Sequence, residues 1–310
     1  MKFQNIDVIV PTFNCSSNLK KCLRSIEKQE YNGQINITII DGGSTDNTID
    51  IAEEFGAKIF INKGQYGTGL NGARHFGETK TNSYYVWVID SDNFIVEETV
   101  AGEMVSTFEN RNDLNIVMPE IAIDPNSNRF NKWLSLAEQF SVNQMKVSNN
   151  FNGKYFYVPD ITYGITNCSL LKRKDLVSVG GYDSDFGLLL RLRMSGLSAG
   201  AILPSCHYYH ESVKGRMDYL TKIENRILRF SRMSKKQLSN YYYDYEKIKK
   251  IPGKHLISTV KDLNMLALKS AKNYLHYHDT VYLEGITFLM ILLLIMFKHP
   301  IAIKNLGEKL

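Results

Sequence analysis

Short apolar runs alternate with polar, amphipathic stretches over the first 118 residues of the chain. Five runs rich in β-branched residues have the length of buried strands, namely IDVIV, INITII, KIFI, YYVWVID and NIVMP. Stretches of helical length separate them, at about residues 17–29, 46–55, 69–79 and 97–109. Strands separated by helices of this length predict βαβ crossovers and an α/β fold with a mostly parallel sheet flanked by helices. Ligands of such sheets bind at the carboxyl ends of the strands.

The pattern is less regular beyond residue 119. A helix is predicted near residues 131–146, and a strand and a helix follow in TYGITNCSLL and KRKDLVSVGG. After the strand AILP the βα pattern stops, and residues 211–250 are polar, rich in tyrosine and helical in pattern. We therefore predict an α/β domain over residues 1–210 and a basic helical region over residues 211–310.

Composition narrows the class of protein. The 310 residues are 44% hydrophobic, which is enough for a folded core. The four cysteines show no C-x-x-C pairing, which favours a reducing compartment. The first residues, MKFQNIDVIV, lack the apolar region of a signal peptide, so we expect the body of the protein in the cytosol. Residues 211–310 hold 18 Lys and Arg against 9 Asp and Glu, so a slightly acidic body precedes a basic tail.

One apolar segment interrupts the basic tail. GITFLMILLLIMF lies between Glu284 and Lys298, and the segment extends to about 17 residues, 281–297, if Glu284 is tolerated near its edge. A spanning helix needs about 20 apolar residues, whereas an apolar helix with basic flanks suits the anionic cytoplasmic leaflet. We expect this segment to associate with the cytoplasmic face of a membrane. A buried core helix and an oligomer contact are the alternatives.

Polar and aromatic side chains follow the first two strands. Pro11, Thr12 and Phe13 end the first strand, where a ring and small polar groups suit the face and edge of a nucleobase. Phe13 also suits a position in the core. Asp41 ends the second strand, where it suits a base or a ribose. The glycines and the Ser-Thr-Asp run behind Asp41 fit a tight turn and helix capping.

Two carboxylates, Asp90 and Asp92, follow the fourth strand directly. Carboxylates held this close raise each other's pKa unless a cation lies beside them. Mg²⁺ and Mn²⁺ prefer oxygen ligands and accompany diphosphates in proteins. The spacing therefore predicts a divalent metal site at the carboxyl edge of the sheet.

The stretch GTGLNG at residues 67–72 has the spacing of a dinucleotide-binding loop. Such a loop begins where the first strand ends, whereas GTGLNG follows the third strand with KGQY in between. A dinucleotide cofactor is therefore not expected, and the glycines need another role.

Taken together, these motifs resemble the family 2 glycosyltransferases, which have the GT-A fold. The resemblance covers about residues 5–210 and rests on VIVPTFN, on IDGGSTDNT for the family's V-D-D-G-S-T-D, on GTGLNGARHFG for G-x-x-x-A-R-N-x-G, and on VIDSDN for the D-x-D. It implies a UDP- or GDP-sugar as donor and Mg²⁺ or Mn²⁺ as cofactor. The residues that it assigns to the donor are Pro11, Thr12, Phe13 and Asp41 for the base, Gly69 and Arg74 for the diphosphate, and Asp90 for the ribose.

The remaining assignments concern the metal and the catalytic base. Asp90 and Asp92 would bind the metal, and His210 in SCHYYHES is favoured over His207 as the histidine that some members place there. GGYDSDFGLLLRLRMSG resembles the family's G-G-F-D followed by E-D-x-D-L-x-x-R-L. This alignment puts Asp185 on the catalytic base of inverting members, with Ser184 and Gly187 replacing its acidic neighbours. Asp185 also suits the N-cap of the next helix.

The resemblance implies a metal-dependent inverting glycosyltransferase. Asp185 would deprotonate an acceptor hydroxyl as it attacks the anomeric carbon, while the metal and Arg74 stabilise the departing diphosphate. A glycan or polyprenyl-linked acceptor at the membrane is expected, and no nucleic acid. Because the acidic motif is altered, a catalytically silent nucleotide-sugar-binding or assembly protein is the alternative. A nucleotidyltransferase is disfavoured, since PTFNCSSN is not a glycine-rich basic loop.

Overall fold

The computed structural model describes residues 3–147, 151–161, 168–182 and 185–232. In this part of the chain, nine strands form one mixed sheet with helices on both faces. The strands are β1 (Ile6–Thr12), β2 (Ile35–Asp41), β3 (Lys58–Ile61), β4 (Tyr85–Val88), β5 (Asn93–Ile95), β6 (Ile116–Ile121), β7 (Phe156–Val158), β8 (Leu170–Lys172) and β9 (Gly200–His210). The helices are α1 (Ser16–Glu27), α2 (Thr48–Glu54), α3 (Leu70–Thr79), α4 (Val100–Asn110), α5 (Arg129–Val147), α6 (Arg173–Ser178), α7 (Asp185–Met194) and α8 (Arg216–Arg232).

The strand order is β3-β2-β1-β4-β8-β6-β9-β5, and β7 pairs with β9. The first four strands pair in parallel, as do β6 and β9. β8 is antiparallel to both of its neighbours, and β5 and β7 are antiparallel to β9. The α/β class and the helices on both faces are confirmed. The expectation of a mostly parallel sheet holds only for β1 to β4, because antiparallel β8 separates the fifth predicted strand, β6, from β4, and β5 and β7 add two more antiparallel pairings.

The helices α1 to α4 begin and end within a turn of their predicted bounds. Two strands, β5 and β7, were not predicted, because three residues carry too little periodicity to be recognised. The run TYGITNCSLL is a strand at β8, and residues 162–167 lie outside the described part of the chain.

Apolar side chains fill both faces of the sheet. On one face, α1, α2 and α4 pack against alternate residues of β1 and β4, such as Val8 and Trp87. On the other face, α3, α6 and α7 pack against Ile9, Val88 and their neighbours. Because strands buried on both faces read as continuous apolar runs, VWVI carries no polar residue until Asp90.

The chain divides into two compact units. They are Met1–Ala122 with Glu138–Glu211, and Ile123–Ala137 with Ser212–Leu310. The first unit contains the sheet, and the described part of the second has a small apolar core of Phe130, Trp133 and Val213. The domain boundary at residue 210 stays a prediction.

The tail was expected to carry a membrane-associating segment at residues 281–297, and that segment lies outside the described residues. Among the helices that the structure describes, none has the length and apolar character that crossing a membrane requires.

Gly72 lies in the first turn of α3, close to the loop that precedes the helix. A Cβ at this position would lie 2.0 Å from the carbonyl oxygen of Gly67 and 2.9 Å from that of Tyr66. Gly67 and Gly69 have φ angles of +91° and +81°, which other residues rarely adopt. The three glycines of GTGLNG therefore form a loop that folds back against the start of its own helix.

Replacing Gly72 with alanine is expected to lower the free energy of unfolding by about 1 to 3 kcal/mol, because backbone must move to admit the methyl group. Gly102→Ala is the matched control, since it is also helical and its added Cβ meets nothing closer than the Glu30 carbonyl oxygen at 3.6 Å. This control is expected to stabilise the protein by about 0.5 to 1 kcal/mol. Urea unfolding measures both variants, and equal stabilities would contradict the close approach at Gly72.

Candidate active site

Asp41 lies buried at the end of β2, under the loop that leads to α2. Its Oδ1 accepts hydrogen bonds from Thr12 Oγ1 at 2.9 Å and Ser44 Oγ at 2.5 Å. Its Oδ2 accepts from the backbone N–H groups of Gly43 and Ser44, each at 2.7 Å. The carboxylate thus joins the ends of β1 and β2, which pair with Thr12 opposite Asp41. Its contact with a base stays a prediction.

A cavity of about 470 Å³ opens at this edge of the sheet, a volume typical of small-molecule sites. Four of the residues predicted for the donor line it, namely Pro11, Thr12, Phe13 and Gly69; the others are Gly42, Asn62, Leu70, Ala73 and Ser91. The Phe13 side chain is 63% exposed, so it is not a core residue. Its ring is available to stack on a flat ligand.

Asp46 joins the starts of α1 and α2. Its Oδ1 accepts from the backbone N–H and the hydroxyl of Thr48, at 3.1 and 2.5 Å, and its Oδ2 accepts from the backbone N–H of Ser16 at 3.1 Å. The hydrogen bond from the Thr48 side chain, with further bonds from Ser16, lowers the pKa of Asp46 to about 2. The N-cap residue of α2 is Asn47, which makes no side-chain cap hydrogen bond; Asp46, one residue earlier, instead accepts the N–H of the first helical residue.

Arg74 lies one turn into α3, and only 1% of its side chain is exposed. Its Nη2 donates to both carboxylate oxygens of Asp90, at 2.9 and 2.7 Å, while its Nη1 lies 3.4 Å from Asn71 Oδ1. This ion pair joins α3 to the end of β4. The predicted contact of Arg74 with a diphosphate stays a prediction, and in this structure the guanidinium faces Asp90.

Strand pairing brings His210 beside Asp92. β5 follows the D-x-D directly and pairs with β9, with Asn93 opposite His210. The backbone N–H of Glu211 donates to the Asp92 carbonyl oxygen at 2.9 Å. His210 Nε2 lies 3.8 Å from Asp92 Oδ1. The other candidate, His207, instead contacts Glu97 through Nδ1 at 2.7 Å.

Glu138 on α5 faces the opposite side of the His210 ring. Its two carboxylate oxygens lie 3.1 and 3.3 Å from His210 Nδ1. Burial by itself lowers the pKa of His210, but the charge and hydrogen bond of Glu138, with the charges of Asp92 and Asp90, outweigh it and raise the pKa to about 9. With no cation bound, the ring is therefore an imidazolium at neutral pH.

Asp185 is the first residue of α7, and its role as catalytic base stays a prediction. The turn before this helix is held from two sides. The backbone N–H of Tyr182 donates to Glu78 Oε2 of α3 at 3.1 Å, and Arg191 Nε of α7 donates to the Val179 carbonyl oxygen at 2.6 Å. Burial of Glu78 raises its pKa, partly offset by this backbone hydrogen bond.

The described residues contain no group of three or more His, Cys, Asp or Glu side chains placed to hold a metal ion by themselves. They offer Asp92 and His210 as a pair, with Asp90 bound to Arg74. Sequence reasoning missed Glu138, since a single glutamate in a helix carries no signal of its own. Only the approach of α5 to β9 reveals it.

Replacing Asp90 with alanine is expected to lower the free energy of unfolding by about 3 to 5 kcal/mol, because it breaks the buried pair with Arg74. Asp92→Ala is the matched variant two residues away. The Asp92 side chain is 31% exposed, so its loss should change stability by less than about 1 kcal/mol. Urea unfolding compares the two, and a loss of the same size in both would contradict the structural role of Asp90.

The relatives that comparison with known proteins identifies include two bacterial glycosyltransferases. Glycosyltransferase GlyA of Streptococcus pneumoniae is 37% identical over 99 residues, which cover 31% of this chain and 14% of GlyA. Poly(ribitol-phosphate) β-N-acetylglucosaminyltransferase TarS of Staphylococcus aureus is 28% identical over 121 residues, 38% of this chain and 21% of TarS. The match therefore spans less than a quarter of either relative.

Solved structures show a similar fold. A fragment of S. aureus TarS in complex with UDP-GlcNAc has a TM-score of 0.52 at 15% identity, covering 86% of this chain and 80% of the fragment. Glucosyl-3-phosphoglycerate synthase of Mycobacterium tuberculosis, in complex with phosphoglyceric acid, has a TM-score of 0.50 at 18% identity, covering 70% and 75%. At such identities the likeness concerns the fold, which is of the GT-A type.

The family model described as Glycosyl transferase family 2 matches residues 7–180. This span runs from β1 to the end of α6, so it contains the cavity, the buried ion pair of Arg74 with Asp90, and Asp92. It covers more than half of the chain. On this match and the GT-A fold, the chain belongs to glycosyl transferase family 2.

Proposed function

We propose that this protein transfers a sugar from a nucleotide-sugar donor to an acceptor hydroxyl, with inversion at the anomeric carbon. The observation that carries the proposal is the position of Ser91, which lines the cavity and separates Asp90 from Asp92. The cavity and the carboxylates therefore belong to one site at the carboxyl edge of the sheet. The relatives named above are glycosyltransferases, and the TarS complex with UDP-GlcNAc supports a UDP-sugar as donor.

The cavity suits the nucleoside end of such a donor. The exposed ring of Phe13 offers a stacking face, and Leu70, the first residue of α3, is 47% exposed and lines the same cavity. The 2.9 Å hydrogen bond between Thr12 and Asp41 joins the ends of β1 and β2 at this cavity. The chain would thus hold the base between two apolar surfaces, with polar groups at its edge.

Asp92 and His210 fit a Mg²⁺ or Mn²⁺ ion that is shared with the donor. Such ions are commonly held by one or two protein ligands, together with substrate phosphate oxygens. The carboxylate and the imidazole nitrogen of this pair are suitable ligands for Mn²⁺. When bound, the metal stabilises the negative charge of the departing diphosphate. Asp90, neutralised by Arg74, would face the ribose and the metal from its fixed position.

Asp185 is proposed as the base. Its carboxylate takes the proton of the acceptor hydroxyl while the oxygen forms a bond to the anomeric carbon. The bond from that carbon to the diphosphate breaks at the same time, and the electron pair leaves with the nucleoside diphosphate. Attack opposite the leaving group inverts the anomeric centre. A base in this role contributes about 10² to 10⁴ in rate.

Asp92→Ala and Asp185→Ala are each expected to lower the rate of nucleoside diphosphate release by at least about 100-fold while the fold is kept. Release of UDP from UDP-sugars in the presence of Mn²⁺ and acceptor measures the rate. Asp113→Ala is the control, since this exposed residue contacts Arg111 away from the site, and its rate should not change.

Full turnover by either site variant would remove that residue from the mechanism. A wild-type protein that binds donor and metal without releasing UDP would instead support the binding-protein alternative, which the replacement of two acidic positions by Ser184 and Gly187 favours.

We further propose that residues 281–297 attach the protein to the cytoplasmic face of a membrane and that the acceptor is a glycan or a polyprenyl-linked glycan there. The support is the sequence itself, an apolar segment that Lys298 follows directly, within a tail that holds 18 Lys and Arg against 9 Asp and Glu. An acceptor anchored in the same membrane would reach the site by moving along the membrane surface, without diffusing through water.

The full chain is expected to sediment with membranes in the absence of detergent, and Leu293→Asp should shift it to the soluble fraction. A carboxylate in the middle of an inserted apolar helix costs about 3 kcal/mol. Asn305→Asp adds the same charge outside the segment and serves as the control. A wild-type chain that stays wholly in the soluble fraction would contradict the attachment.

A further inference from the structure

We propose that Glu138 is a positioning residue for His210, holding the imidazole so that Nε2 faces Asp92 and is available to the metal. This inference rests on the proposed function, because it gives Glu138 a role only if Asp92 and His210 bind a divalent ion. No sequence motif identified Glu138. It lies on α5, whereas Asp92 belongs to the D-x-D and His210 to β9.

The two nitrogens of the His210 ring face different carboxylates. Nδ1 lies 3.1 and 3.3 Å from the oxygens of Glu138, and Nε2 lies 3.8 Å from Asp92 Oδ1. The hydrogen bond made by one ring nitrogen decides which nitrogen carries the proton in the neutral ring. With Nδ1–H donated to Glu138, the lone pair of the neutral ring is on Nε2, on the side of Asp92. Histidine ligands of metals commonly have such a carboxylate behind them.

Glu138 is itself held in place. The next residue on α5, Gln139, donates its side-chain amide to the Ile121 carbonyl oxygen at 2.9 Å, which fastens this helix to the end of β6. Two turns further on, Lys146 Nζ lies 2.7 Å from Glu120 Oε1. His210 is fixed from the other side by the pairing of β9 with β5. The ring therefore has a rigid backbone and a rigid partner.

Glu138 is not placed as a metal ligand itself, because its carboxylate lies on the Nδ1 side of the ring while Asp92 lies on the Nε2 side. Its side chain is 21% exposed and that of His210 is 17% exposed, so little water competes for their hydrogen bond. Its effect on a cation must pass through the orientation and the basicity of His210. If Glu138 contributed only to folding, its effect on metal affinity would not require His210.

The test measures Mn²⁺ binding to the full chain in the presence of UDP. The loss of the electron paramagnetic resonance signal of free Mn²⁺ reports the bound fraction. Glu138→Ala is expected to raise the dissociation constant of Mn²⁺ by about 10- to 100-fold. Glu138→Gln should lose less affinity, because its amide oxygen still accepts from Nδ1–H. Glu120→Gln is the matched control, since it removes the carboxylate of β6 that pairs with Lys146 of α5 and should leave the Mn²⁺ affinity unchanged.

A double variant separates positioning from structure. If Glu138 acts through His210, then adding Glu138→Ala to His210→Ala should cause no further loss of Mn²⁺ affinity. Thermal unfolding of each variant without metal checks that the fold is kept.

Three results would overturn the inference. If Glu138→Ala binds Mn²⁺ as the wild type does while Asp92→Ala and His210→Ala bind it weakly, the metal site stands and the role of Glu138 is wrong. If Asp92→Ala and His210→Ala also bind as the wild type does, the proposed metal site itself is wrong. Additive losses in the double variant would likewise show that Glu138 does not act through His210.

Discussion

A buried ion pair between Arg74 and Asp90 sets the geometry of the site. A guanidinium that is only 1% exposed needs a carboxylate beside it, because the cost of burying an uncompensated charge exceeds what a single domain can tolerate. Arg74 belongs to the helix that starts from the glycine-rich loop, and Asp90 begins the D-x-D. The ion pair therefore holds α3, which lines the cavity, against the D-x-D. Neither can shift without separating Arg74 from Asp90.

The same helix, α3, also contacts the turn that leads to α7. Glu78, one turn beyond Arg74, accepts the backbone N–H of Tyr182, and His75 contacts the Tyr182 carbonyl oxygen. One ten-residue helix thus connects the donor cavity, the carboxylates of β4 and the segment that precedes Asp185. Sites built on helices and strands hold their side chains more closely than sites built on loops alone. The close approach at Gly72 fixes where this helix begins.

Local patterns predicted the half of the site that lies on parallel strands. The apolar runs predicted β1 to β4. Because a helix connects each of these strands to the next, the sequence also predicted that they run parallel. Thr12, Asp41 and Asp90 had to come together at one edge for that reason. The other half depends on β5 and β9. β5 is too short to show a period, and a single glutamate in a helix, such as Glu138, resembles any solvated residue.

The sequence by itself determined the α/β class, the edge of the sheet at which the site lies, and the motifs that identify the family, because these follow from periodicity and from residues close together along the chain. Only the tertiary structure decided that Arg74 faces Asp90, that the favoured His210 lies 3.8 Å from Asp92 while His207 contacts Glu97, and that Glu138 lies behind the ring. These contacts depend on an antiparallel register and on helix packing between segments as far as 118 residues apart, the separation of Asp92 and His210. The pairing of distant segments is selected by the burial of the whole core, which no local pattern encodes.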